Sequence, residues 1–434
     1  RGLGGQPSSG LRFSATMLDF ADLPYEFVPP KPNGLIIALA QVINRRIALP
    51  GRNHLVTDLE LRGVEAFAEA KGEQGARIVL LPNHSTHSDP EIMTEVCRRL
   101  GVVPSFMAAY DVFARSKLRA WVMPRLGAFS VDREGSDRKS MKCASDIIAA
   151  GKYPLVLFPE GNVYLCNDRV TPFAEGAAYI ALRAQKEIGA AAPVYAVPVS
   201  IKFTFVEDVR ERVLSELNEM AELFATALDR QASVTDEIKR ISLTALARFL
   251  RQRGYLPSEN DQLADRQIED AVSQILGSLE SKMELKMRES DDLPTRVRKI
   301  RAAIHGVRTD PGREVDHRAA SRWADEAMLA LRILGYHGGY TIDDPTLDRV
   351  AETVARLRED VTSKLLPPDG KRRCVVQLGT PIDLRDRLEA FQGKARQAIG
   401  DLTEKCENAV QSGIDAINAS NEEVGGTPFQ GTHA

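Results

Sequence analysis

Residues 83 to 90 read NHSTHSDP and follow RIVLLP, an apolar run with the length and composition of a buried strand. His84 and Asp89 are the pair that could do chemistry. A turn between strand and helix can fold the Asp89 carboxylate back onto the imidazole, and an imidazole held through one nitrogen offers the other as a general base. The same aspartate stands directly before Pro90 and a helical pattern, so it also reads as the cap of the next helix. His87 lies between them as a second imidazole. Ser85, Thr86 and Ser88 invite a nucleophile reading, but the chain contains no GxSxG elbow, so an acyl-enzyme is disfavoured.

Two further stretches carry polar groups at strand ends. YPLVLFPEGN (153–162) ends a strand with Glu160 and Gly161, where open α/β sheets place ligands; Glu160 could meet a substrate hydroxyl or orient another site group. GAFSVDRE (127–134) puts Arg133 beside a short strand, where a guanidinium could clamp a phosphate or simply face solvent.

The elements that would position these groups form an alternation. RIVLLP (77–82), 102–109, 127–131, 153–159 and 194–203 read as strands, and Pro90–Leu100, Ser116–Pro124, Ser136–Ala150 and Ala174–Ile188 as helices. The pattern predicts an α/β domain with a mostly parallel central sheet flanked by helices. From about 206 to 370 helix formers dominate, and CVVQLGTPIDL (374–384) then returns to strand character. A late strand after a long helical stretch predicts a large all-helical insertion. The organisation expected is therefore an N-terminal segment (1–54), an α/β domain (55–205), the helical insertion (206–370), a returning strand and C-terminal helix (371–420), and a disordered tail (421–434). GYHGGY (335–340) reads as a turn.

Within the N-terminal segment, NGLIIALAQVINRRIAL (33–49) breaks at Gln41 and Asn44, short of the roughly 20 residues a bilayer span needs. It suits a helix lying on a membrane surface, or an ordinary helix packed on the core. The basic stretch RSKLRAWVMPRLG (115–127), with Trp121, suits an anionic lipid surface, CoA phosphates or a plain surface helix. The polar opening RGLGGQPSSG predicts no cleavable signal peptide.

Composition narrows the partners. A net charge of −3 gives no basic excess for nucleic acid. Five scattered cysteines with no CxxC pair predict neither zinc nor disulfides and point to a reducing cytosolic setting. No metal or cofactor is expected.

Taken in order, the chemistry-bearing blocks resemble the glycerophospholipid acyltransferase family. Its H-x4-D motif is matched by His84 and Asp89, its glycine–phenylalanine–arginine block by Gly127, Phe129 and Arg133, and its FPEG block by Phe158, Pro159, Glu160 and Gly161. A late proline-containing strand is matched by VPVSI (197–201) through Pro198. The resemblance implies transfer of a fatty acyl group from acyl-CoA or acyl-carrier protein to a hydroxyl of a glycerophosphate or lysophospholipid, on the inner face of a membrane. His84 would be the base, Asp89 its orienting partner and His87 a neighbour that packs or hydrogen-bonds; Gly127, Phe129, Phe158, Pro159, Asn162 and Pro198 would help bind substrate, Arg133 its phosphate, and Glu160 and Gly161 would shape the glycerol site. Where the family continues FPEG with threonine and arginine or serine, this chain has Asn162, Val163 and Tyr164. That departure leaves the acceptor open. A catalytically silent lipid-binding scaffold and a thioester hydrolase remain as alternatives.

Overall fold

The computed structural model describes residues 25–133, 137–229, 231–255, 265–288, 291, 293–310, 317–335, 340, 344–362, 364–429 and 431. Most of GYHGGY, the opening decapeptide and the expected helix start at Ser136 lie outside these residues. The strands are β1 (Val56–Arg62), β2 (Arg77–Pro82), β3 (Ser105–Ala109), β4 (Ala128–Val131), β5 (Leu155–Val156), β6 (Val194–Phe205), β7 (Arg372–Leu378) and β8 (Ile382–Asp383). The helices are α1 (Gly34–Ile43), α2 (Val64–Gly72), α3 (Asp89–Arg99), α4 (Tyr110–Ala114), α5 (Lys117–Arg125), α6 (Arg138–Ala150), α7 (Gly176–Ile188) and α8 (Arg210–Leu223). There follow α9 (Val234–Gln252), α10 (Asp265–Lys282), α11 (Leu293–Thr309), α12 (His317–Gly335), α13 (Leu347–Thr362), α14 (Leu388–Gly393) and α15 (Ala395–Ala419).

The sheet runs β1-β7-β6-β2-β5-β3-β4, with β8 also on β6. Strands β6, β2, β5, β3 and β4 are parallel, whereas β7 and β8 run antiparallel to β6. The α/β class with a mostly parallel sheet and a helical region is thus what the chain forms. Side chains alternate across β2. Val79 and Leu81 join one core with α6, α7 and α15, while Ile78 and Leu80 join the other with Phe67 of α2 and Ile92, Met93 and Val96 of α3. Helix α15 lies so close to β6 that a Cβ on Gly413 would stand 2.1 Å from Ser200 Oγ.

The chain divides into two units. One comprises Leu23–Ile238, Gly339–Ala355 and Pro367–Ala434 and holds the sheet; the other includes Lys239–Gly338 and Arg356–Leu366. The second is helical among its described residues, and its core is Leu250, Ile275, Leu276, Leu279, Ile300 and Ile304 with their neighbours. It is shorter than the 206–370 stretch read from composition, because α8 and the start of α13 belong to the sheet unit. Strand β7 returns between β1 and β6, so the helical unit interrupts the sheet in sequence.

Two readings are corrected, and one strand is added. The polar stretch from 421 begins ordered: Phe429 is buried at 1%, and Pro428 bridges Thr346. The expected strand at 153–159 pairs only at Leu155–Val156. Strand β1 was not anticipated, because VTDLELR carries charges at the sheet edge.

Candidate active site

The site begins with a side chain that imitates a strand. Asn83 is 1% exposed; its Nδ2 donates to the Ile201 carbonyl at 2.9 Å, and its Oδ1 accepts from the Ile201 amide at 2.7 Å. The pair continues the β2–β6 ladder by one step after the backbone has turned away, and so fixes where His84 emerges.

His84 Nδ1 then lies 2.9 Å from Asp89 Oδ2. The Asp89 carboxylate, fully buried, also accepts from the Thr86 amide at 2.9 Å through Oδ2 and from the Thr86 hydroxyl at 3.0 Å through Oδ1. These bonds point back into the turn. Asp89 is the first residue of α3, and the residue before it, Ser88, makes no side-chain cap. The capping role read from sequence is therefore corrected: the carboxylate is committed to His84 and Thr86. The His84 ring stacks on Phe158, with centroids 4.2 Å apart. Its side chain is 17% exposed.

Glu160 closes the turn from the neighbouring strand. Its Oε1 accepts the His84 backbone N–H at 2.6 Å, and its Oε2 accepts the Thr171 amide at 3.2 Å and the Thr171 hydroxyl. Of the two roles read from sequence, orienting another group is the one these contacts describe. Burial, the largest cause, pushes the Glu160 carboxyl up to about 7 against the opposing hydrogen bonds. Burial likewise raises Glu91, on the first turn of α3, to about 7 and Glu352 to about 8. A carboxyl raised on folding contributes stability fully present below its ordinary range near 4.5 and lost as pH rises through 7 to 8. The melting temperature is accordingly expected to fall between about pH 4.5 and pH 8 and to level off above, and Glu160→Gln, followed by thermal melts across that range, to flatten the fall.

Arg133 joins two of the predicted blocks. Its Nη1 donates to Asn162 Oδ1 at 2.6 Å and to the Gly161 carbonyl at 3.3 Å, and its Nη2 meets Asp111 Oδ1 at 3.3 Å. Gly161, at φ 76°, makes the tight turn that presents this carbonyl. Pro159 is buried, and its carbonyl accepts the Ala174 amide at 2.9 Å. His84 thus contacts Asp89, Phe158 and Glu160, and Arg133 contacts Gly161 and Asn162; the adjacent residues Glu160 and Gly161 join the two sets along the chain.

Gly127, Phe129 and Pro198 are not. Phe129 is fully buried in β4 as core, and Gly127, at φ 89°, turns the chain into that strand while its carbonyl accepts Ser105 Oγ at 2.6 Å. Pro198 lies inside β6 where β7 pairing ends at Val199 and β8 pairing begins at Ala196, so its missing N–H breaks no rung there. All three were read as substrate-binding; burial in the sheet gives them a structural role instead. Asn83, Thr86, Asp111 and Thr171 were given no such role from the sequence. Among the described residues no three His, Cys, Asp or Glu side chains gather as metal ligands would.

A mostly parallel sheet thus carries a hydrogen-bonded His84–Asp89 pair on the turn beyond one of its central strands. Residues 59–202 match the Acyltransferase family model. The match places an acyltransferase domain at those residues. No curated protein matches the sequence.

Proposed function

We propose that the protein transfers a fatty acyl group from acyl-CoA or acyl-carrier protein to a hydroxyl of a glycerophosphate or lysophospholipid. The observation that carries this reading is the 2.9 Å contact of His84 Nδ1 with Asp89. It leaves Nε2 to take the proton of the acceptor hydroxyl. The acceptor oxygen attacks the thioester carbonyl, the C–S bond breaks, and the imidazolium returns the proton to the departing thiolate. Asp89 holds the ring and stabilises its charged form. Arg133 would bind the acceptor's phosphate beside Gly161 and Asn162, with Glu160 holding the His84 turn.

The same domain would work at a lipid surface. Leu35, Leu39, Val42, Ile47, Leu118 and Trp121 are exposed on α1, the turn after it and α5, flanked by Arg45, Arg46, Lys117 and Arg119. Asn44, at the end of α1, donates to the Glu91 carbonyl of α3 at 2.8 Å, so this face is tied to the helix that Asp89 begins. No helix among the described residues is long and apolar enough to cross a membrane.

Purified protein given each donor with glycerol phosphate, lysophosphatidate and a lysophospholipid, with thiol release followed, tests the reading. Acceptor-dependent release is expected; equal release by wild type and His84→Ala with every acceptor would overturn it. Trp121→Ser with Leu39→Ser is expected to weaken sedimentation with anionic vesicles while leaving the melting temperature unchanged; undiminished sedimentation would remove the lipid-surface part.

A further inference from the structure

The first residue of β7 carries a guanidinium beneath the catalytic turn. Arg372 is 7% exposed, and among the described residues no carboxylate lies within ion-pair distance of it. Its Nη2 donates to the His54 carbonyl at 2.7 Å and to Ser88 Oγ at 3.0 Å. Its plane lies over the Phe203 ring, 4.5 Å from the centroid, and Nε is sealed from solvent with no partner. Burying a cation on neutral acceptors is costly, and an apolar side chain of similar size would fill the space at lower cost. The cation's bonds lead elsewhere. Ser88 N–H donates to Thr86 Oγ1 at 3.1 Å, Thr86 Oγ1 donates to Asp89 Oδ1 at 3.0 Å, and Asp89 Oδ2 meets His84 Nδ1 at 2.9 Å. Ser88 Oγ also lies 2.9 Å from His54 Nδ1, and burial, with Arg372 and His87 adding to it, holds the His54 imidazole below its usual range.

We propose that Arg372 is a positioning residue for acyl transfer: by anchoring Ser88 it sets the turn in which Thr86 and Asp89 hold the His84 ring. The inference rests on His84 being the base. It means that the strand returning from the helical unit completes the site opened nearly three hundred residues earlier in the chain.

Arg372→Met keeps the volume and removes the donors. It is expected to lower kcat about 10²-fold with the donor KM unchanged. It is also expected to abolish or broaden the low-field imidazole N–H proton resonance that wild type shows and His84→Ala lacks. Arg372→Lys, which keeps a charge and a donor, is expected to fall between the two. If Arg372→Met retains the resonance and the wild-type kcat per folded molecule, losing only melting temperature, the role is structural and the proposal is overturned. Should Arg372→Met not fold, Ser88→Ala decides: a wild-type kcat and resonance there overturn the proposal, and a loss of both supports it. If wild type transfers no acyl group with any donor, the acyltransferase reading fails while the resonance still decides the role of Arg372.

Discussion

Replacing His84 by alanine is expected to lower kcat for acyl transfer about 10²–10⁴-fold, the range a positioned general base contributes. The fold should survive. Asp89, released from the imidazole, keeps its two bonds from Thr86, and Glu160 still accepts the backbone N–H of residue 84, so the turn loses one hydrogen bond of its set. Little change is expected in KM, because the ring's proposed work lies in the transition state. Steady-state kinetics beside a thermal melt check both halves: an intact melting temperature with a large loss of kcat. A proportional loss of both would mean that His84 is structural. Asp89→Asn is expected to move the same way: Thr86 N–H holds the amide oxygen toward His84 Nδ1, but a neutral amide stabilises the imidazolium far less than the carboxylate does.

Lys202→Met is expected to cost about 3–5 kcal/mol of stability, the usual consequence of removing one partner from a buried ion pair. Lys202 is 2% exposed, with Asp168 Oδ1 at 2.5 Å and Asp348 Oδ2 at 3.3 Å. Burial alone would raise the Asp168 carboxyl, but Lys202 and Arg349 outweigh it and hold it down at about 2. Without the ammonium, two carboxylates face each other, and Arg349, 2.7 Å from Asp168, is the cation left paired to them among the described residues. The neighbouring Asn167 pairs with both backbone groups of Phe203, as Asn83 does with Ile201, so the cluster fastens the segment that leads from Gly161 to Thr171. Denaturant midpoints measure the loss, and adding Asp348→Asn to Lys202→Met is expected to recover part of it. A single variant as stable as wild type would show that the charges are not tightly coupled.

How much of this could be read beforehand follows from what each residue's type announces. The parallel core was legible because β2 and the first half of β6 are apolar runs buried on both faces, which few other elements imitate. His84 and Asp89 were legible because a five-residue offset at a strand end suits one chemistry better than others. Arg372 and Lys202 were not. Arginine and lysine ordinarily face solvent, and only the fold brings Ser88 to the one and Asp168 and Asp348 to the other. Gly127 and Phe129 are the opposite case: the motif includes them, and the fold buries them at the start of β4 and within it. Strand β1 escaped because an edge strand with Asp58 and Glu60 pairing to Arg373 loses the apolar signature. Asn83 escaped because side-chain mimicry of a strand leaves no periodic trace.

The central claim is direct transfer from a thioester to an acceptor hydroxyl. It is tested most directly by measuring thiol release and ester formation together, by wild-type protein, with and without acceptor. The expected result is no thiol above background without acceptor, and one ester formed per thiol released with it. Thiol release that proceeds equally without acceptor, with free fatty acid as the product, would contradict it.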